Sequence, residues 1–269
     1  MKKTVIIITL CVLAILVTSI AVVKFKRAGA ANAPATEKTL NKGLVLHMTF
    51  DRDETADGLI KDSSSGGNNG SPSGVRWTPD GKLGGAYEFT KDGDQIVVQN
   101  NASLNPAHLT VSAWIKTTNA DSVWRRIFDK SWTRGYAMSI AGDYQKKNWR
   151  GLASMEMGPG EHFLLTKTRL ADGQWHQVVN TFDGTNETFY VDGRFESTFK
   201  WQRTGRVGAT DFNLVIGCNR SNLTEADLGT SFRGFIDEPM MWNRALSEKE
   251  VANLFQLQNS AHAGQRIEK

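Results

Sequence analysis

The stretch Gly173–Phe195, GQWHQVVNTFDGTNETFYVDGRF, carries the pattern that decides the fold. It contains two short, largely apolar runs, WHQVVNTF and TFYV, which are separated by the turn-forming residues DGTNE. Short runs of this kind between Gly, Asn and Asp clusters predict β-strands. The pair Asp192–Gly193 then lies between two apolar runs, which is a strong hairpin signal. The stretch therefore predicts antiparallel strands joined by tight turns.

The residues on both sides of this stretch repeat the pattern. Further strand-like runs occupy residues 44–50, 95–99, 109–117, 135–140 and 212–217. Near the C-terminus the pattern changes, because Ser247 and Glu250 form a capping box in front of a helical apolar stripe. Many short strands at this spacing predict an all-β fold, a two-sheet antiparallel sandwich or barrel that ends in a short helix.

The first 27 residues are a targeting element. Thr4–Val23 is a run of 20 residues without a charge, which is long enough to cross a bilayer, and basic residues flank it on both sides. Residues 1–27 are therefore interpreted as a signal anchor or, alternatively, as a signal peptide cleaved near Ala30. We expect a single-pass protein of the cell membrane with its C-terminal domain outside the cytoplasm, or a secreted or periplasmic protein after cleavage.

The charge distribution argues against a nucleic-acid partner. The formal net charge is +4, but five of the 32 Lys and Arg residues lie in 1–27, where there is no acidic residue. Residues 41–269 carry 26 basic and 27 acidic residues, so the predicted domain is nearly neutral. Nucleic-acid-binding domains are usually basic, and we therefore expect no nucleic-acid partner. Cys218 is the single cysteine of this region, so no disulfide can form within it.

Six motifs, in this order, resemble those of the laminin-G-like jelly-roll domains in the concanavalin A-like lectin/glucanase superfamily. They are GLVLHMTFD, IKDSSSGGNNGSPSG, GKLGGAYEFTKDGDQIVV, LTVSAWIKT, GQWHQVVNTFDGTNETFYVDGRF and FRGFIDEPMMWNRALSEKEV. The resemblance implies a jelly-roll sandwich over residues 43–257. It leaves 28–42 as a linker after the targeting element and 258–269 as a flexible tail.

The resemblance also implies a candidate metal site. Members of this fold often bind a structural calcium, and the first and last strands lie near each other, so Asp51 and Asp237 would meet at one end of the sandwich. Calcium takes six to eight oxygen ligands, which carboxylates and carbonyls supply. Alternatively, Asp237 accepts hydrogen bonds from loop amides, as a buried acid must find partners. Glu238 follows Asp237 directly, and strand alternation predicts that the two side chains point to opposite faces.

The segment 121–150 is the candidate ligand-binding region. It holds seven basic and three acidic residues together with tryptophans, which suits an acidic glycan or an anionic protein surface. The alternative is that these tryptophans cover strand edges and the arginines are solvated. The candidate residues are Trp124, Trp132, Trp149, Arg125, Arg126 and Arg150.

The sequence shows no catalytic constellation. It has no HExxH motif and no nucleophile elbow, and Gly and Pro separate Glu156 from Glu161. We therefore expect a non-catalytic binding module, membrane-tethered or exported, for a carbohydrate, a glycoconjugate or a protein partner at the cell envelope. The alternatives are a glycan-cleaving enzyme of the same fold and a structural envelope protein without a small ligand.

Overall fold

The structure, a computed structural model, describes residues 37–145, 147–158, 163–201, 205–219 and 230–267. Residues 35–269 form a compact unit. The predicted anchor or signal peptide, residues 1–27, lies outside the described residues. Within the described ranges, no helix combines the length and the apolar character that a membrane crossing requires.

The described residues contain one short α-helix at the beginning, seventeen strands, a 3₁₀ turn at Ala102–Leu104 and a longer α-helix at the end. In chain order the elements are α1 (Glu37–Leu40), β1 (Leu44–His47), β2 (Gly70–Ser73), β3 (Arg76–Thr78), β4 (Ala86–Phe89), β5 (Gln95–Val98), β6 (Leu109–Lys116), β7 (Arg125–Lys130), β8 (Tyr136–Ile140), β9 (Asp143–Tyr144), β10 (Lys147–Asn148), β11 (Leu152–Met157), β12 (Leu164–Arg169), β13 (Trp175–Phe182), β14 (Asn186–Val191), β15 (Arg194–Lys200), β16 (Leu214–Ile216), β17 (Gly234–Trp242) and α2 (Glu248–Ile267).

In the described part of the chain, two antiparallel sheets form a sandwich. The first has eight strands in the order β15-β14-β13-β6-β17-β4-β3, with β1 also paired to β17. The second has seven strands in the order β12-β11-β8-β7-β16-β5-β2. Side chains from both sheets, such as Ile115 and Val178 from the first and Met138 and Met155 from the second, form one buried apolar core. The predicted all-β, two-sheet antiparallel sandwich with a C-terminal helix is confirmed.

Two local features predicted from the sequence, the hairpin turn at Asp192–Gly193 and the capping box of Ser247 and Glu250, are also present in the structure. Asp192 and Gly193 have φ angles of 51° and 72°, as a tight hairpin turn requires, and they join β14 to β15. At the start of α2, the Glu250 N–H donates to Ser247 Oγ at 3.3 Å, and the Ser247 N–H donates to Glu250 Oε2 at 2.9 Å. These reciprocal bonds are those of a capping box.

A second apolar cluster extends the fold beyond the boundaries drawn from the sequence. It lies on the outer face of the eight-stranded sheet, where α1 and α2 pack against β17. The Trp242 indole N–H donates to the Leu40 carbonyl at 2.6 Å, so α1 belongs to the domain rather than to the linker at 28–42. At the other end, α2 continues to Ile267, and Gln258 is buried where the sequence placed the start of a tail.

A bulge in the closing strand changes the direction of one acidic side chain. Asp237 pairs with Trp114 and Met240 pairs with Ser112, so three steps along β17 match two along β6. Glu238, with a φ of 51°, absorbs the extra residue. The prediction that Asp237 and Glu238 point to opposite faces is wrong, because the bulge interrupts the alternation and turns Glu238 towards α2.

Candidate functional site

Three aromatic side chains from separate parts of the chain form what we call the aromatic patch: Trp124, Trp149 and Phe163. Trp124 precedes β7, Trp149 follows the β9–β10 hairpin and Phe163 precedes β12. The ring centroids are 5.0 Å apart for Trp124 and Phe163, 5.9 Å for Trp149 and Phe163, and 6.1 Å for the two tryptophans. Each residue is half-buried, so the patch keeps aromatic surface available to a ligand.

Two basic side chains, Lys147 and Arg150, lie next to Trp149 of the aromatic patch. Lys147 Nζ lies 5.4 Å from the ring centroid of Trp149, within cation–π range. Arg150 Nε donates to Asp143 Oδ1 at 2.9 Å, and this hydrogen bond lowers the pKa of Asp143. Lys147, Arg150 and Asp143, with Asn148, line a cavity of about 270 Å³. The lining of this cavity carries two cationic groups and one carboxylate, so its net positive charge favours an anionic ligand.

Buried charges occupy the outer face of the seven-stranded sheet. Along β11, Ala153, Met155 and Met157 contribute to the core, so Ser154 and Glu156 face outward. Arg126 Nη1 donates to both Glu156 carboxylate oxygens at 3.0 Å, and Arg126 Nε lies 3.4 Å from Asp129 Oδ2.

The three charged side chains stabilise one another electrostatically, because they are shielded from water. Arg126, Asp129 and Glu156 are each less than a tenth exposed. Burial raises the pKa of Glu156, and the Arg126 charge acts in the opposite direction. The guanidinium of Arg126 is therefore committed to carboxylates of its own chain.

The structure brings together three of the six predicted ligand-binding residues, Trp124, Trp149 and Arg150. Trp132 is exposed but follows β7, whereas Trp124 precedes it, so the two lie at opposite ends of that strand. Arg125 is buried; its Nη1 donates to the Ser231 carbonyl at 3.1 Å, and its Nε donates to Asp121 Oδ2 at 3.1 Å. Arg126 is held by Glu156, as described above. Whether any of the six binds a ligand stays a prediction.

Sequence reasoning did not select Phe163 or Lys147 as site residues. Lys147 lay within the basic segment 121–150, and its spacing from Trp149 was the available signal. Phe163 lies outside that segment, and it reaches the patch because β12 pairs with β11. No feature of the linear sequence connects Phe163 to Trp124.

The two candidate metal ligands both approach the loop 81–85. Asp237 Oδ2 accepts from the Leu83 N–H at 2.9 Å and Oδ1 from the Glu238 N–H at 2.8 Å. Asp51 is exposed, and a Cβ placed on Gly84 would stand 2.1 Å from Asp51 Oδ1. Burial, and secondarily Glu238, raise the pKa of Asp237. Both Asp237 oxygens thus serve backbone amides.

These residues do not fit a calcium ion well. The described ranges contain no group of three or more His, Cys, Asp and Glu side chains that could hold a metal. Calcium takes six to eight oxygen ligands, and both oxygens of Asp237 already accept hydrogen bonds from N–H groups. Calcium binding therefore stays a prediction, whereas the hydrogen bonds to loop amides are present.

The chain matches a known protein family. A laminin-G model, described as the concanavalin A-like lectin/glucanases superfamily, matches residues 90–252. No curated protein matches the chain.

Several solved structures are similar in fold. The binding domain of Paraclostridial Mosquitocidal Protein 1 is 19% identical with a TM-score of 0.61, over 80% of this chain and 52% of that one. Domain 4 of AbnA, a GH43 extracellular arabinanase from Geobacillus stearothermophilus, in complex with arabinotriose, is 18% identical with a TM-score of 0.59, over 79% and 98%. A structure of botulinum neurotoxin type C, described as dependent on two ganglioside molecules for cell entry, is 15% identical with a TM-score of 0.61, over 83% and 53%. This chain thus spans about half the length of the two toxin chains.

Proposed function

We propose a binding function for this chain, which belongs to the concanavalin A-like lectin/glucanases superfamily. In this proposal the domain is a non-catalytic module that binds an acidic carbohydrate or glycoconjugate at the aromatic patch. The observation that carries the proposal is the convergence of Trp124, Trp149 and Phe163 next to Lys147 and Arg150. Aromatic rings offer an apolar platform, and the neighbouring cations supply attraction to a negative group.

The similar structures support this class of ligand. One is solved with arabinotriose, and another belongs to a toxin whose cell entry depends on gangliosides. Both ligands contain sugars. Because the identities are below 20%, the likeness carries the fold to this chain, and the sugar ligand is our proposal.

The arrangement of acids favours binding over glycan cleavage. A glycosidase needs one protonated carboxylic acid and a second carboxylate, about 5–5.5 Å apart in retaining and 6.5–9.5 Å in inverting enzymes. On the outer face of the seven-stranded sheet, the guanidinium of Arg126 contacts the carboxylates of both Asp129 and Glu156. Asp129 and Glu156 are each less than a tenth exposed, so neither carboxyl group is accessible to a glycosidic bond of a polysaccharide.

Polysaccharide binding by Trp149→Ala tests the proposal. We expect the affinity of the full-length protein for an acidic polysaccharide such as polygalacturonate to fall at least tenfold, because one of the two tryptophan rings of the patch and the cation–π partner of Lys147 are lost. Affinity electrophoresis or calorimetry measures this change.

Trp132→Ala is the matched control, because Trp132 is an exposed tryptophan away from the patch. The affinity of this variant for the polysaccharide should equal that of the wild type. Equal affinities of the two variants would contradict the proposed location. Release of reducing sugar from the polysaccharide by the wild-type protein would contradict the non-catalytic assignment. Binding of a protein partner without any polysaccharide would select the alternative of a protein-binding module.

We also propose that residues 1–27 tether the domain to the cell membrane, with residues 37–267 outside the cytoplasm. The 20 uncharged residues Thr4–Val23 and the basic residues around them motivate this proposal. The full-length protein is expected to stay in the membrane fraction after an alkaline carbonate wash, whereas cleavage would give a mature protein that begins near Ala31. N-terminal sequencing of the cell-derived protein separates the two results.

A further inference from the structure

A second cavity lies on the outer face of the eight-stranded sheet, away from the aromatic patch. It has a volume of about 480 Å³ and lies between α1, β1, β17, α2 and the serines at 63–65. Its walls are mainly apolar, with the buried side chains of Leu40, Leu44, Met240 and Leu254. Leu257, which is 49% exposed, lies at its edge. Ligand cavities in proteins commonly range from about 300 to 1,000 Å³, so this one has room for a small group.

An acidic side chain lines this cavity. Glu238 has a side chain that is 7% exposed, and its Oε2 lies 2.7 Å from His47 Nε2 and accepts from Gln258 Nε2 at 2.9 Å. The orientation of the Gln258 amide is fixed, because its Oε1 accepts from Trp114 Nε1 at 2.8 Å and from Gln177 Nε2 at 2.7 Å. The described side-chain hydrogen bonds of Glu238 use Oε2, so Oε1 is the acceptor that a ligand could use.

A second buried acid lies next to Glu238. The bulge places Asp237 next to it with its carboxylate buried, and Glu238 contributes to the raised pKa of Asp237 after burial itself. Lys82 is the nearby lysine, but its Nζ donates to Asn259 Oδ1 at 2.8 Å and lies 4.4 Å from the Trp114 ring centroid. His47 carries a positive charge only when it is protonated. A cation in the cavity would therefore compensate the buried carboxylate of Glu238, which lines it.

We infer that this cavity binds a primary ammonium group carried on an aliphatic chain, as in an alkylamine or a lysine side chain. An ammonium has three donors and no acceptor, which suits Glu238 Oε1 and the serine hydroxyls at the rim. The aliphatic chain packs against Leu44, Met240 and Leu254. Charge at one end and apolar walls along the rest select this ligand over a neutral or anionic one.

Calorimetry with the full-length protein tests this inference, with n-pentylamine as the probe and 1-pentanol as its neutral isostere. We expect saturable binding of one pentylamine per chain and at least tenfold weaker binding of pentanol. Nα-acetyl-lysine N-methylamide is the second probe. Tighter binding of this amide than of pentylamine assigns the site to a lysine side chain of a protein partner, and the reverse order assigns it to a free amine.

Two variants locate the site. Glu238→Gln keeps the size of the side chain and removes its charge, and Leu257→Lys places a competing ammonium at the exposed edge of the cavity. Each is expected to lower the affinity for pentylamine at least tenfold, and Leu257→Lys keeps the test valid if Glu238→Gln does not fold. Equal binding of pentylamine and pentanol, or unchanged pentylamine affinity in a folded variant, would overturn the inference. Polygalacturonate binding at the aromatic patch is expected to stay unchanged in both variants.

Discussion

Arg126→Met is expected to lower the free energy of unfolding by about 3–5 kcal/mol, the usual cost of removing one partner of a buried ion pair. Arg126 is 6% exposed and contacts the carboxylates of Glu156 and Asp129. Methionine fills much of the space but leaves two buried carboxylates without their guanidinium. Chemical denaturation, followed by tryptophan fluorescence, measures the change.

A double-variant cycle separates this effect from loss of side-chain volume. Arg126→Met combined with Glu156→Gln should recover part of the stability, because one of the uncompensated charges is gone. Arg150→Met is the control for a solvated arginine, and its unfolding midpoint should stay close to that of the wild type, since the pair with Asp143 is exposed. A stable Arg126→Met protein with weakened polysaccharide binding would instead support the sequence-based prediction that Arg126 contacts the ligand.

This buried ion cluster also explains why the sequence did not reveal two of the strands, β7 and β11. In β7, RRIFDK, all six residues are buried, so the alternation of apolar and polar residues that marks a half-buried strand is absent. In β11, LASMEM, the outward-facing Glu156 is equally buried. A sequence pattern predicts that polar residues are exposed and apolar residues buried. This prediction fails where oppositely charged residues are buried as pairs. The strands of the hairpin at 173–195 follow the pattern and were predicted directly.

Only part of the candidate site was predicted, because sequence spacing shows neither which residues are buried nor which strands pair. Trp124, Trp149 and Arg150 were selected from one basic, aromatic segment, and the β9–β10 hairpin brings them together. Proximity in sequence also selected Arg125 and Arg126, which are buried and paired with acids of the same chain. Phe163 and the Glu238 cavity depend on strand pairing and on a bulge, which are long-range features that residue spacing does not encode.

Asp237→Asn is expected to destabilise the domain by about 1–3 kcal/mol, the cost of leaving a buried donor without its acceptor. Asp237 is fully buried, and each of its carboxylate oxygens accepts from a backbone N–H, one from Leu83 and one from Glu238. Asparagine offers one oxygen and one NH₂ group, so one of these N–H groups would face another donor. Thermal unfolding in the presence of a chelator measures the loss without any contribution from a metal.

The same experiment, repeated with calcium, decides between the two roles that the sequence left open for this acid. If Asp237 only accepts hydrogen bonds from the loop, the wild type should have the same melting temperature with calcium and with chelator. The melting temperature of Asp237→Asn should then lie below that of the wild type by the same amount in both solutions. A bound calcium predicts a rise in the melting temperature, since a ligand at a hundredfold excess over its Kd stabilises the native state by about 2.7 kcal/mol. Asp51→Asn is the matched control, because Asp51 is exposed and approaches the same loop at Gly84. If calcium raises the melting temperature of the wild type but of neither variant, Asp51 and Asp237 share a metal. If Asp51→Asn behaves as the wild type in both solutions, the two carboxylates act separately, and Asp237 holds the loop 81–85 to the closing strand through its amides.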